Sequence, residues 1–239
     1  DAVVARVDAC RGRLARVTPL LKRFRESVLT AATSGHLTAD WSDKHRDSNG
    51  EVPARSPMVI FADEQDALPA GWSWQQLVDI ARLESGHTPR KSVPAYWDGG
   101  DVPWISLQDI RAADGLVITD TKFHPTQAGI DNSSARLLPE GTVCFCRDIS
   151  FGYVTIMGRS MATSQHFANW VCTPQLHPKY LMYAFMAARQ FLGMSGQGTT
   201  VTTIYMPALK QLRLATPPID EQAEIVRRVD TLFAFADRL

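Results

Sequence analysis

The chain lacks any run of about 18 apolar residues, the length a helix needs to cross a bilayer, and its N-terminus lacks the basic-then-apolar order of a signal peptide. No membrane span is predicted, and the cytoplasm is the expected location. Cysteine is scarce. Four residues (Cys10, Cys144, Cys146, Cys172) in 239 make no disulfide framework, so reduced thiols are expected. Excess charge is missing too: 25 basic residues balance 25 acidic ones, which excludes a strongly basic, sequence-indifferent nucleic-acid binder. Only residues 1–40 lean basic, with seven basic against four acidic groups. The sequence opens on Asp1 inside a periodic pattern, as an excised or truncated piece would.

Catalytic signatures are also absent. No Asn/Asp-Pro-Pro-aromatic tetrapeptide occurs, the only Pro-Pro being Thr216-Pro217-Pro218-Ile219, and no Gly-rich strand-helix motif for S-adenosylmethionine stands out. No Glu lies two positions before a Lys, so a usual metal-dependent nuclease motif is missing, and the Gly-rich run Ser195–Thr200 lacks the Lys of a phosphate-binding P-loop. No catalytic residue is therefore assigned. Cys144, Cys146, Cys172 and His166 form a conceivable zinc set. Against that, a Cys-x-Cys pair in a strand points both side chains to one face, where small apolar residues pack, and no metal site is assigned.

What is present divides the chain into four parts. Residues 1–40 place apolar side chains alternately four and three apart (Val3, Val7, Cys10, Leu14, Val17, Leu21, Phe24, Val28), the seam of a coiled coil that needs a partner helix. Pro19 predicts a kink or break near Thr18, and Gly35 a stop. Residues 41–70 are rich in Asp, Ser and Pro and read as a linker with one apolar patch, Met58 to Phe61. Residues 71–217 carry short β-prone runs (VPWISL, GLVIT, GTVCFC, YVTIM, FANWVC) and one helical stretch near Lys179 to Leu192, hence a strand-rich α+β domain. Residues 218–239 open a second helix on Asp220 and Glu221, with Ile225, Val229, Leu232, Ala236 and Leu239 repeating the four-three spacing. Such helices can pair antiparallel with each other or with a second copy of the module.

Several of these segments together resemble a known family. Gly71-Trp72, Ser85-Gly86-His87-Thr88-Pro89, Tyr96-Trp97 and Val102-Pro103-Trp104-Ile105-Ser106 are similar to the opening of target-recognition domains in type I restriction-modification specificity subunits. SSARLLPEGTVCFCRDISFGYVTI (133–156), TSQHF (163–167), GQGTTVTTIYMPALKQLRLATPPIDEQAEIV (196–226) and LLKRFRESVLTAATSGHL (20–37) follow in the family's order. Cys144 and Cys146 depart from its usual aliphatic or small residues, and only one recognition domain is present where the family carries two. The resemblance implies an α+β fold, a strand-rich target-recognition domain flanked by long helices that form an antiparallel coiled coil. It also implies a non-catalytic module that reads one half of a bipartite target in double-stranded DNA.

Methyltransferase (M) subunits, a restriction (R) subunit, and a second specificity half or second copy are the implied partners. S-adenosylmethionine, and ATP with Mg, would then belong to those partners, with no cofactor in this chain. A half-length subunit and the recognition end of a fused restriction-methyltransferase fit equally. A coiled-coil assembly adaptor whose globular domain grips protein, and an enzyme using the cysteines or a metal, are the readings from other classes.

Base readout needs donors and acceptors on loops held by a rigid scaffold. Three stretches qualify: the turn Ser85 to Ser92 with Thr88, Arg90 and Lys91; Arg147 to Gly152 together with Gln165 and His166; and the Gly-rich run with Gln197, Thr199 and Thr200. For His166 the reading as a satisfied interior histidine is the stronger one. The assembly seam comprises Val7, Leu14, Leu21 and Val28 on the first helix and Val229, Leu232 and Leu239 on the second.

Overall fold

The structure is a computed structural model and describes residues 2–45, 58–61, 67–195 and 203–238. In chain order its elements are α1 (Ala2–Thr33), α2 (Ala39–His45), β1 (Val59–Ile60), β2 (Ser73–Gln76), α3 (Leu77–Ile80), β3 (Ala81–Ser85), β4 (Trp104–Ile105) and α4 (Leu107–Ala112). There follow β5 (Val117–Ile118), α5 (Gln127–Asp131), β6 (Val143–Cys146), β7 (Val154–Met157), β8 (Ala162–Thr163), β9 (Phe167–Cys172), α6 (Pro178–Ser195), α7 (Met206–Leu209), β10 (Arg213–Thr216) and α8 (Ile219–Ala236). The fold is the expected α+β mixture, with strands inside each of the β-prone runs.

A five-stranded sheet in the order β3-β9-β6-β7-β5 is antiparallel except where β5 joins β7. Alternation along β6 shows why VCFC is buried throughout. Val143 and Phe145 enter the core beneath α6, where Phe145 stacks on Phe185 with centroids 4.7 Å apart, while Cys144 and Cys146 face the opposite cluster with Ile105 and Ile110. Both faces are therefore dry, and each fully buried ring such as Phe145 contributes about 2 kcal/mol. A second sheet, β1-β10-β2, is antiparallel, and β4 pairs in parallel with β8. Met58, Val59 and Ile60 lie in the stretch that reads as a linker, yet all three are buried, and Val59 and Ile60 form β1; apolar content outweighed the polar surroundings.

α1 runs unbroken through Pro19, contrary to the expected kink or break near Thr18. Pro19 removes one donor, but it and Ala15, whose carbonyl loses its partner, are both exposed, so water can satisfy that carbonyl. Gly35 follows the helix end with φ 83°, a left-handed conformation that ends the helix as expected. Three contacts give the direction of α8 against this region: Arg25 with Asp237, the Leu37 carbonyl with Arg228, and Ser42 with Glu221. Rising numbers on one side meet falling numbers on the other, so the helices run antiparallel. The seam closes only where they overlap. Val28 and Val229 are buried, Leu21 and Leu232 half-buried, whereas Val7 is 44% exposed. The side chain of Leu14 and all of Leu239 lie outside the described residues.

The joint between helices and domain is made by polar groups. Glu221, in the first turn of α8, is fully buried, and its carboxylate accepts from Thr38 Oγ1 (2.8 Å), Ser42 Oγ (2.9 Å) and Trp72 Nε1 (3.0 Å). The helix N-terminus favours the negative charge there. Beside it, buried Gln222 accepts from His177 N (2.8 Å) and donates to the carbonyls of Gln175 (3.0 Å) and Pro217 (2.9 Å), tying α8 to the start of α6. Replacing Glu221 by Ala leaves three donors without their acceptor. The variant is expected to lose about 3 kcal/mol, a drop in melting temperature on the order of 10 °C. A thermal melt unchanged to within 2 °C or so would contradict that role.

Candidate nucleic-acid interface

β4 and β8 are parallel neighbours, so the residues that follow them emerge side by side at the same sheet end. Ser164 N donates to the Ile105 carbonyl (3.1 Å), continuing the pairing past the strands. After β4 come Ser106, which caps α4, and Gln108; after β8 come Ser164, Gln165 and His166. The turn after β3 lies across this pair. His87 N donates to the Thr163 carbonyl (2.9 Å), and Gly86 rests so close that a β-carbon would stand 2.1 Å from Thr163 Oγ1 and 2.2 Å from the Ser164 carbonyl oxygen. Glycine is thus required at this crossing for lack of space.

The result is a groove of about 420 Å³ lined by Thr88, Lys91, Gln108, Gln165 and His166 over the aromatic surfaces of Trp104 and Phe123. Two of the stretches singled out from sequence meet here. Thr88 Oγ1 donates to Gln165 Oε1 (2.6 Å), and Arg147 Nη2 donates to the Gln165 carbonyl (3.1 Å). Arg90 borders an adjoining hollow with His87, Thr88, Tyr96 and Asn132. Arg90 and Lys91 are exposed and make no ion pair among the described residues. Gln197, Thr199 and Thr200 lie outside the described residues; the chain beyond them returns at Ile204, whose N–H donates to the Arg147 carbonyl (3.0 Å).

His166 is half-buried, and its Nδ1 lies 2.9 Å from both oxygens of Asp148. The loop carrying Asp148 is braced by Arg111 Nε, which donates to Ser150 Oγ (2.7 Å). Gln108 and Lys122, whose Nζ donates to Gln108 Oε1 (3.0 Å), were not visible as site residues in the sequence, and Asp148 was visible only as part of the stretch Arg147 to Gly152. Gln108 lines the groove from the start of α4, just after β4, while Asp148 and Lys122 reach it through their contacts with His166 and Gln108. Cys144 and Cys146 face the core, and burial pushes the Cys146 thiol up to about 11 and the Cys172 thiol up to about 12. Burial likewise pushes Cys144 up. Among the described residues no group of three or more His, Cys, Asp or Glu side chains is placed to hold a metal ion, and no helix is long and apolar enough to cross a membrane.

The family model for the type I restriction modification DNA specificity domain matches residues 69–239. The chain belongs to this family. Among curated relatives, the specificity subunit of the type I restriction enzyme MjaIX from Methanocaldococcus jannaschii is 27% identical over 174 residues, covering 72% of this chain and 39% of the relative. That of EcoDI from Escherichia coli is 24% identical over 259 residues, covering all of this chain and 52% of the relative. The HsdS subunit from Thermoanaerobacter tengcongensis shares the fold, with a TM-score of 0.58 at 18% identity over 98% of this chain and 51% of that one. A chain from a type I R-M system structure gives a TM-score of 0.61 at 17% identity, over 99% of this chain and 52% of that one. The chain thus spans about half the length of these full-coverage matches, and only 39% of the MjaIX subunit.

Two outcomes follow from the site geometry. Gly86→Ala forces the turn away from Thr163 and should cost about 1–3 kcal/mol, seen as a fall in melting temperature of roughly 3–10 °C. An unaltered melt would mean that the turn is not seated on β8. In native protein at pH 8 a thiol reagent should leave Cys144 and Cys146 unlabelled, because thiolate is the reactive form; both should react after unfolding. Rapid native labelling of either would contradict their burial.

Proposed function

We propose that this chain is the non-catalytic DNA-reading module of a type I specificity subunit, recognising one half of a bipartite double-stranded target and docking M subunits through its helices. The observation that carries the reading is the groove. Three separate segments converge there on paired strands, and they present Thr88, Lys91, Gln108 and Gln165 with Arg90 and Arg147 at its margins. Arg, Lys and Gln are the side chains suited to base edges and phosphates, and a strand-borne site holds them in register. Membership of the specificity-domain family and the curated relatives named as specificity subunits support the same reading.

On this proposal methylation belongs to M subunits using S-adenosylmethionine, and cleavage to an R subunit using ATP with Mg, within the cytoplasm. A second specificity half, or a second copy of this chain, reads the other half-site. The apolar side chains of α1 that stand exposed, Val4, Val7, Leu20 and Phe24, supply an assembly surface. Gln197, Thr199 and Thr200 join the readout residues as contacts to backbone phosphate.

The test is a methylome of cells expressing the parent subunit with its methyltransferase partner. Replacing residues 71–217 by a related domain should move methylation to a new half-site while the other half persists. Alanine at Arg90, Arg147 and Gln165 should relax the half-site, each lost bidentate contact costing roughly 1–3 kcal/mol of discrimination. A methylation pattern unmoved by the domain replacement would sink the proposal.

A further inference from the structure

We infer that Asp148 and His166 are positioning residues for base readout: they hold the Gln165 amide in one orientation through a continuous hydrogen-bond series that ends at Thr88. The inference rests on the DNA-reading role proposed above and names how its central side chain is set.

The series runs in one sense. An ionised carboxylate only accepts, so with both Asp148 oxygens 2.9 Å from His166 Nδ1, that nitrogen carries the hydrogen. In the neutral imidazole Nε2 is then an acceptor. Gln165 Nε2 lies 3.4 Å from it, in position to donate, and Gln165 Oε1 accepts from Thr88 Oγ1 at 2.6 Å. A flipped amide would set Oε1 against the imidazole lone pair. The tautomer of His166 therefore decides which way the amide faces, and Asp148 decides the tautomer.

The backbone at this point leaves the side chain as the remaining freedom. Arg147 N donates to the His166 carbonyl (3.0 Å), and Arg147 Nη2 donates to the Gln165 carbonyl (3.1 Å), pinning the main chain on both residues. Orientation is what matters for readout. An amide discriminates between bases only when its oxygen and nitrogen occupy defined places, because adenine offers an acceptor beside a donor while guanine offers two acceptors. An amide free to turn would meet both. Because the four groups come from three different segments, none of this could be read from spacing along the chain.

The test uses the full parent subunit with its methyltransferase partner and reads the methylome. Gln165→Ala first defines the base pair that Gln165 reads. Asp148→Ala and Thr88→Val, which cut the series at opposite ends, should each weaken discrimination at that same base pair by roughly threefold to tenfold, the cost of immobilising one flexible side chain on binding. With Asp148→Ala, methylation at targets correct elsewhere should persist. Asp148→Asn keeps an oxygen that accepts from Nδ1 and should recover most of the discrimination, and Asp148→Ala should add nothing in a Gln165→Ala background. Thr88→Val lies on the turn after β3 and keeps the side-chain shape, so it carries the test if Asp148→Ala fails to fold. Relaxation at a different base pair, or none with Thr88→Val and a folded Asp148→Ala, overturns the inference. So does a Gln165→Ala variant with an unchanged half-site. If domain replacement still moves the half-site in those cases, the reading role stands and only the positioning fails; if replacement moves nothing, the reading role itself fails.

Discussion

One buried carboxylate holds the architecture together. Glu221 sits at the start of α8, and its three donors come from the turn after α1, from α2 and from the residue preceding β2. Removing a charge from water is costly unless every lone pair finds a donor. The dry environment that makes the carboxylate expensive also fixes where those donors must stand, so one residue sets the angle at which two helices leave the domain. Gln222 extends the constraint to α6, whose other side packs on the five-stranded sheet. From Glu221 to the groove there is thus a continuous solid: α8, α6, β6 and β9, then the turn carrying Gln165.

The groove inherits its shape from that solid. β4 and β8 end together, Gly86 lets the next turn cross them at backbone distance, and Arg147 bonds to the carbonyls of Gln165 and His166 beyond β8. Its polar side chains are restrained by one another, with Thr88, Gln165, His166 and Asp148 in one run and Lys122 on Gln108 in another. A surface of this kind enters a binding event with most of its side-chain ordering already done.

Long periodic or wholly apolar segments were legible in the sequence for a physical reason: burial on both faces leaves little room for any other residue type. FANWVC became β9 over its full length, and Lys179 to Leu192 lies inside α6. Short elements were not, because a segment of one turn or two carries no usable period; β1, α4 and α5, of two, six and five residues, are of this kind, although Ser106 and Asp109 form a capping box that marks the start of α4. Thr88 and Gln165 were legible as separate loop residues, but their contact spans 77 positions and depends on a parallel pairing that spacing does not encode. Asp148 lay inside the stretch Arg147 to Gly152 read from the sequence, but its contact with His166 spans 18 positions and is not encoded by spacing. Pro19 misled because the penalty for a missing N–H assumes that its orphaned carbonyl is buried.

The pairing of charges has a consequence for affinity. Arg82 and Arg136 share Glu84, Arg189 holds Asp114, Lys179 holds Asp230, and Arg228 is held between Asp40 and Glu224. Cations committed to carboxylates displace few counterions from a duplex, and it is counterion release that makes proteins linger on arbitrary DNA. On the reading role proposed above, a module whose cations are committed in this way gains little affinity for arbitrary DNA, and discrimination rests on the fit of a few ordered side chains to base edges.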